Sequence, residues 1–93
     1  MRIAAMKIRL YAPWVHSLKE KRMEVKSLTA RIKGKFNVSV AEIGSQDIHQ
    51  TIDIGVAAIA ADSAQSDSII DTVLAFIEAN TEAEITAVER ALY

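Results

Sequence analysis

The chain has 93 residues, 51% of them hydrophobic, with one proline, three glycines and no cysteine. That composition excludes disulfide stapling, thiolate catalysis and cysteine-ligated zinc, and it argues for a single domain over residues 1–93 rather than a disordered chain. The formal net charge of −1 conceals a segregation: residues 1–35 carry ten Lys/Arg against two Glu and residues 36–93 one Arg against ten Asp/Glu, so the halves are about +8 and −9.

Residues 2–11 alternate, with Met6, Ile8 and Leu10 on one face and Lys7, Arg9 and Tyr11 on the other, as a strand with one buried face requires. Lys7 and Arg9 also make this stretch too charged for a signal-peptide core or a membrane span. Together with the lack of cysteine, this gives the expectation of a cytoplasmic protein that does not engage membranes. Pro13 ends the strand. Ser17 and Glu20 form an S-x-x-E capping box that starts a helix running to about Lys33, with Gly34 as its stop and Leu18, Val25, Leu28 and Ile32 as its apolar stripe. Phe36, Val38 and Val40 alternate with Asn37, Ser39 and Ala41 as a second strand. After the loop GSQDIHQ, Ile52, Ile54 and Val56 resume the period of two. Asp62 or Ser63 caps a second helix whose core face is Ile69, Ile70, Val73, Phe76 and Ile77, and residues 83–90 give a weaker last strand.

The order βαββαβ predicts an α+β, ferredoxin-like sandwich: an antiparallel four-stranded sheet ordered 4-1-3-2 with both helices on one face. This topology collects residues 12–17, 44–50 and 80–82 at one pole. Trp14, His16, Gln46, Asp47, His49 and Asn80 therefore form a candidate loop cluster.

The segment SLKEKR at 17–22, the helix after it, and FNVSVAE at 36–42, followed by Gln46-Asp47 and a strand ending in alanines, resemble the YlxP-like family of small bacterial proteins, a domain-of-unknown-function family. The resemblance covers nearly the whole chain and implies the ferredoxin-like fold in a bacterial cytosol. It implies no activity. Because members are often encoded beside translation and ribosome-maturation factors, it also implies a ribosome- or RNA-linked role by association.

Imidazoles at His16 and His49 with the carboxylate of Asp47 are the right groups for metal binding or acid–base chemistry, but their spacing matches no ligand motif, and ordinary loop histidines are the stronger reading. Ser17 is better explained as a helix cap than as a nucleophile. Acylphosphatase shares the topology, yet its arginine-bearing loop after the first strand is replaced here by APWVHS. Trp14 has the surface to stack on a base, although packing over the end of the core explains it more simply. Tyr11 is the only aromatic on the solvent side of the strands, so the stacking of RNA-recognition motifs is not supported. A GXXG loop and a glycine-rich nucleotide cradle are both missing. No metal, cofactor or small-molecule ligand is expected.

The helical wheel gives the sharper signal. At 100° per residue, Lys19, Arg22, Lys26 and Lys33 fall within roughly a 60° arc beside the apolar stripe, and Ser17, Lys19, Lys21 and Arg22 at the helix start are a candidate anion site. Cations there oppose the helix dipole, a local rule broken without evident structural gain. Lys21 lies nearer the apolar face, where its stem can run over the core. Asp67, Asp71 and Glu78 form an acidic stripe on the second helix, and the hand of the fold sends the two stripes to opposite edges of the sheet. The reading that follows is a non-enzymatic RNA- or ribosome-associated module using the basic stripe. The alternative is a homodimer or larger structural homo-oligomer, organised by oppositely charged edges and burying edge strand two or the open sheet face around Ala5, Ala41, Ala57 and Ile59. A small enzyme with a His/Asp loop site ranks last.

Overall fold

Six elements follow one another in the computed structural model, which describes residues 1–93: β1 (Arg2–Tyr11), α1 (Leu18–Lys35), β2 (Ser39–Gly44), β3 (Thr51–Ala60), α2 (Ser63–Asn80) and β4 (Glu84–Leu92). The strands form one sheet in the order β2-β3-β1-β4, every neighbouring pair antiparallel. Read from the other edge this is the predicted 4-1-3-2.

Alternation decides which side of the sheet the helices cover. Ala4, Met6, Ile8 and Leu10 of β1 and Ile52, Ile54 and Val56 of β3 are buried beneath Leu28 and Ile32 of α1 and Ile70, Val73 and Ile77 of α2. Burying each such side chain fully is worth about 1.5–3 kcal/mol, so this layer is the main source of stability. The intervening residues of β1 and β3, from Ile3 to Tyr11 and from Thr51 to Ile59, lie on the side that no helix covers. The Ser17 hydroxyl accepts from the Glu20 amide at 3.1 Å, and the Asp62 carboxylate accepts from the Gln65 amide at 2.8 Å, so both predicted caps are formed and Asp62 rather than Ser63 caps α2. None of the helices is long and apolar enough to cross a membrane.

Three boundaries differ from the sequence reading. Gly34 does not stop α1: no glycine has positive φ, and the helix continues to Lys35, where the extended residue Phe36 ends it with its amide on the Ile32 carbonyl at 2.9 Å. The Phe36 ring then packs edge-on against Phe76, centroids 5.3 Å apart, so aromatic packing sets this end. Phe36 and Val38 pack against the core without joining the ladder, and β2 begins at Ser39. β4 runs past 90 to Leu92, paired with β1 across a register shift at Arg9/Leu10.

Candidate functional site

Two residues at the start of α1, two positions apart, point in opposite directions. Lys21 lies in line with Val25, Leu28 and Ile32, and its side chain enters the core, with the residue only 2% exposed. Its ammonium donates to the Ser45 and Ile48 carbonyls, the latter at 2.8 Å, and pairs with the Glu42 carboxylate at 3.2 Å. Glu42 Oε2 is buried with no hydrogen bond of its own, so Lys21 is its sole compensation. Lys21 is therefore not an anion-binding residue: its charge is consumed in tying α1 to β2 and to the loop that follows it. The rest of that predicted set divides as well. The Ser17 hydroxyl is occupied by the Glu20 amide, and the Glu20 carboxylate accepts from the His16 amide at 3.0 Å, so the helix start is capped by the chain itself.

Lys19 and Arg22 stay outside, in line with Lys26 and Lys33. All four are exposed, and none of their side chains makes a hydrogen bond or ion pair within the chain. Their direction follows from the helical wheel: they centre roughly 120° from the core direction, whereas Glu24, Ser27 and Arg31 centre roughly 95° on the other side. The latter flank faces α2, since Arg31 Nη1 donates to the Asn80 carbonyl at 3.0 Å. The basic stripe thus occupies the flank of α1 turned away from α2. On α2, Asp71 accepts from Arg90 of β4 at 2.6 Å, so its acidic stripe lies at the β4 edge. None of the three ion pairs joins the two helices, and the stripes lie at opposite edges as predicted.

The loop cluster does not form as a unit. Trp14 and Asn80 share a recess of about 220 Å³ with Glu24, Ser27 and Arg31, but His16, Gln46, Asp47 and His49 line no part of it. Those four are exposed, neither imidazole makes a hydrogen bond, and no group of three or more His, Asp or Glu is gathered to hold a metal ion. His16 and Asp47 share no hydrogen bond or ion pair. The 44–50 loop does meet the 12–17 segment, with the Ala12 amide on the Gln50 carbonyl at 2.8 Å and Gln50 Nε2 on the Pro13 carbonyl at 3.0 Å, while Lys21 holds its Ser45 and Ile48 carbonyls; the side chains of His16, Asp47 and His49 take no part in these bonds.

A constellation that the sequence reading missed sits on the uncovered sheet face. Arg9 Nε and Nη2 donate to the two carboxylate oxygens of Asp53 at 2.7 and 3.0 Å, and Ser45 Oγ donates to Asp53 Oδ2 at 2.7 Å. The Arg9 hydrogen bonds hold the Asp53 carboxyl down at about 2 against its ordinary 3.8, with burial opposing the shift and the Ser45 hydroxyl reinforcing it; the same pairing raises the pKa of Arg9. Ser45 itself adopts φ 54°, the left-handed region, and both its hydroxyl and its carbonyl are engaged, toward Asp53 and Lys21 respectively. The available sequence signal was a lone carboxylate inside the apolar run of β3. Its partner becomes visible only with the register that sets Arg9 opposite Asp53.

Comparison with known proteins places these features. A family model described as "Protein of unknown function (DUF503)" matches residues 3–90. A Bacillus subtilis protein named Uncharacterized protein YlxP is 44% identical over 70 residues, which is 75% of this chain and 76% of that one. Among solved structures, the de novo designed protein LFR1 1 with ferredoxin fold matches at a TM-score of 0.53 and 13% identity over 99% of this chain and 85% of the design. The de novo designed protein Foldit4 matches at 0.50 and 15%, over 99% and 94%. At such identities these designs speak for the fold alone.

Proposed function

We propose that this chain, which belongs to the YlxP-like DUF503 family of proteins of unknown function, is a non-enzymatic, cytoplasmic binding module that contacts RNA, free or in a ribosomal particle, through the outer flank of α1. The observation that carries the reading is the set Lys19, Arg22, Lys26 and Lys33: four exposed cations on one flank, without an acidic partner, in a chain of net charge −1. The three acids that do form ion pairs, of twelve in the chain, pair elsewhere, with Arg9, Lys21 and Arg90. Phosphates neutralised by such a stripe release their counterions, which gives binding that is strongly salt-dependent and weakly sequence-selective. With no aromatic row on this flank, affinity rests on charge rather than on base stacking.

The test is recovery of RNA or ribosomal particles with the protein from its native cell at low and at moderate salt. The parent is expected to retain them at low salt and lose them as salt rises. A Lys26→Glu, Lys33→Glu variant is expected to lose them throughout, whereas Asp67→Lys, Glu78→Lys on the opposite edge does not reproduce that loss. Equal recovery by the parent and the Lys26/Lys33 variant, with circular dichroism showing both folded, would remove the RNA-facing stripe.

A further inference from the structure

The side of the sheet that no helix covers carries its own complement. Backbone pairing sets Ile3 opposite Ile59 and, through two hydrogen bonds of 2.8 and 2.9 Å, beside Tyr93. These three make a ridge across the sheet, 41%, 71% and 72% exposed respectively. The next row in register is small throughout: Ser39, Ala57, Ala5 and Ala91. A trough of about 480 Å³ runs along it, bounded on the β2 side by Ile43, whose side chain lies over Gly55 so closely that an added Cβ there would meet it at 2.9 Å. Ile43 is 51% exposed.

We propose that this face is a self-association surface, occupied by the same face of a second copy in a closed dimer. A two-fold contact brings one patch against itself, so it requires a surface holding both the projection and the hollow that receives it. The ridge of Ile3, Ile59 and Tyr93 and the neighbouring alanine trough meet that requirement on one face. Small residues also let two sheets approach to the packing distance of about 10 Å.

Charge selects the class of partner. The cations on this face are Lys7 and Arg9. Arg9 is bound to Asp53, and Lys7 stands opposite Glu89 in the β1–β4 register. The face therefore offers no free positive field to a polyanion or an anionic membrane, and it separates cleanly from the flank of α1. Size is adequate as well. Three strands about 30 Å long and the six-residue β2 at about 20 Å, spaced about 4.8 Å apart, present a flat area of about 550 Å² before side-chain relief is added, against about 800 Å² per partner in a standard stable interface. For a domain this small, covering such a face removes from water apolar surface that the fold leaves exposed.

Light scattering on the RNA-free protein at a concentration on the order of 100 µM, where association in the micromolar range is populated, is expected to give twice the 10.2 kDa chain mass. Ile59→Asp places a charge at the ridge and is expected to weaken association at least about 10-fold, which corresponds to about 1.4 kcal/mol. Ala91→Lys fills the trough from the β4 side and gives the same result independently if Ile59→Asp fails to fold. Lys26→Glu, Lys33→Glu lies on the other surface and should remain dimeric, so failure of the RNA reading leaves this one standing. A parent that is monomeric at this concentration overturns the proposal and leaves the face to a different protein. Dimers that survive both face substitutions overturn it too, by placing the contact elsewhere.

Discussion

The two sides of α1 use the same residue types for different ends. On the inner side Lys21 is buried, its charge matched by Glu42 and two loop carbonyls. On the outer flank Lys19, Arg22, Lys26 and Lys33 are exposed and unmatched. Composition does not distinguish these lysines; their phase on the helix does. A lysine in phase with Leu28 and Ile32 must find compensation inside the protein, because an isolated buried charge costs several kcal/mol. One out of phase is free to meet a partner outside.

The largest expected effect breaks the inner side. Lys21→Met keeps an unbranched apolar side chain but leaves Glu42 Oε2 buried without compensation and the Ser45 and Ile48 carbonyls without their shared donor. Breaking a buried pair in this way costs about 3–5 kcal/mol, a large share of the stability expected of a small domain. Lys19→Met should change stability by no more than about 0.5 kcal/mol. Urea denaturation of the two variants reads the difference, and equal midpoints would erase the distinction between the two sides.

The Arg9–Asp53 pair adds a pH dependence. Because the folded state holds the Asp53 carboxyl at about 2 against 3.8, the unfolded chain takes up the proton first as pH falls. The stabilisation is present above about pH 4 and is lost as pH falls through about 2, a contribution of about 2 kcal/mol. Asp53→Asn should lack this dependence, so denaturation curves of parent and variant should converge between about pH 4 and pH 2. Curves that stay parallel across that window would contradict the pairing.

Substitutions on the outer flank should do little to the fold. Reversing Lys26 and Lys33 to Glu is expected to cost under about 1 kcal/mol, most of it from Lys33 in the last turn, where a cation favours the helix dipole. At the far end of the same helix Gly34 has nothing within 4 Å of where a Cβ would stand and no positive φ. Gly34→Ala should therefore stabilise the protein by about 0.5–1 kcal/mol, the ordinary helix-propensity difference. A loss of stability there would mean that α1 ends earlier than Lys35.

Much of this was legible in the sequence. The alternation of residues 2–11 and 52–56, the capping residues Ser17 and Asp62, and the apolar stripes of both helices lead directly to the βαββαβ order, because each is a local signal with a fixed period. The phase of Lys19, Arg22, Lys26 and Lys33 is legible for the same reason. Gly34 misled because a helix end can be set by distant packing, here Phe36 on Phe76, which leaves no mark at the glycine. Lys21 carried a visible sign, its place on the apolar stripe, but its partners Glu42, Ser45 and Ile48 come from a different element and loop. The Arg9–Asp53–Ser45 constellation depends on the register of β1 against β3, and the joining of the 12–17 and 44–50 segments through Gln50, rather than through His16, Asp47 or His49, depends on how the two loops pack. Such placements are tertiary, and no window of sequence contains them.

The measurement closest to the central claim is the salt dependence of RNA binding by the parent and by the Lys26→Glu, Lys33→Glu variant. If the outer flank of α1 neutralises about four single-strand phosphates, the log–log slope of affinity against salt should be roughly −3 for the parent and should fall to about half that in the variant, with weaker binding at every salt concentration. Identical slopes and affinities for the two folded proteins would contradict the assignment of the outer flank of α1 to RNA.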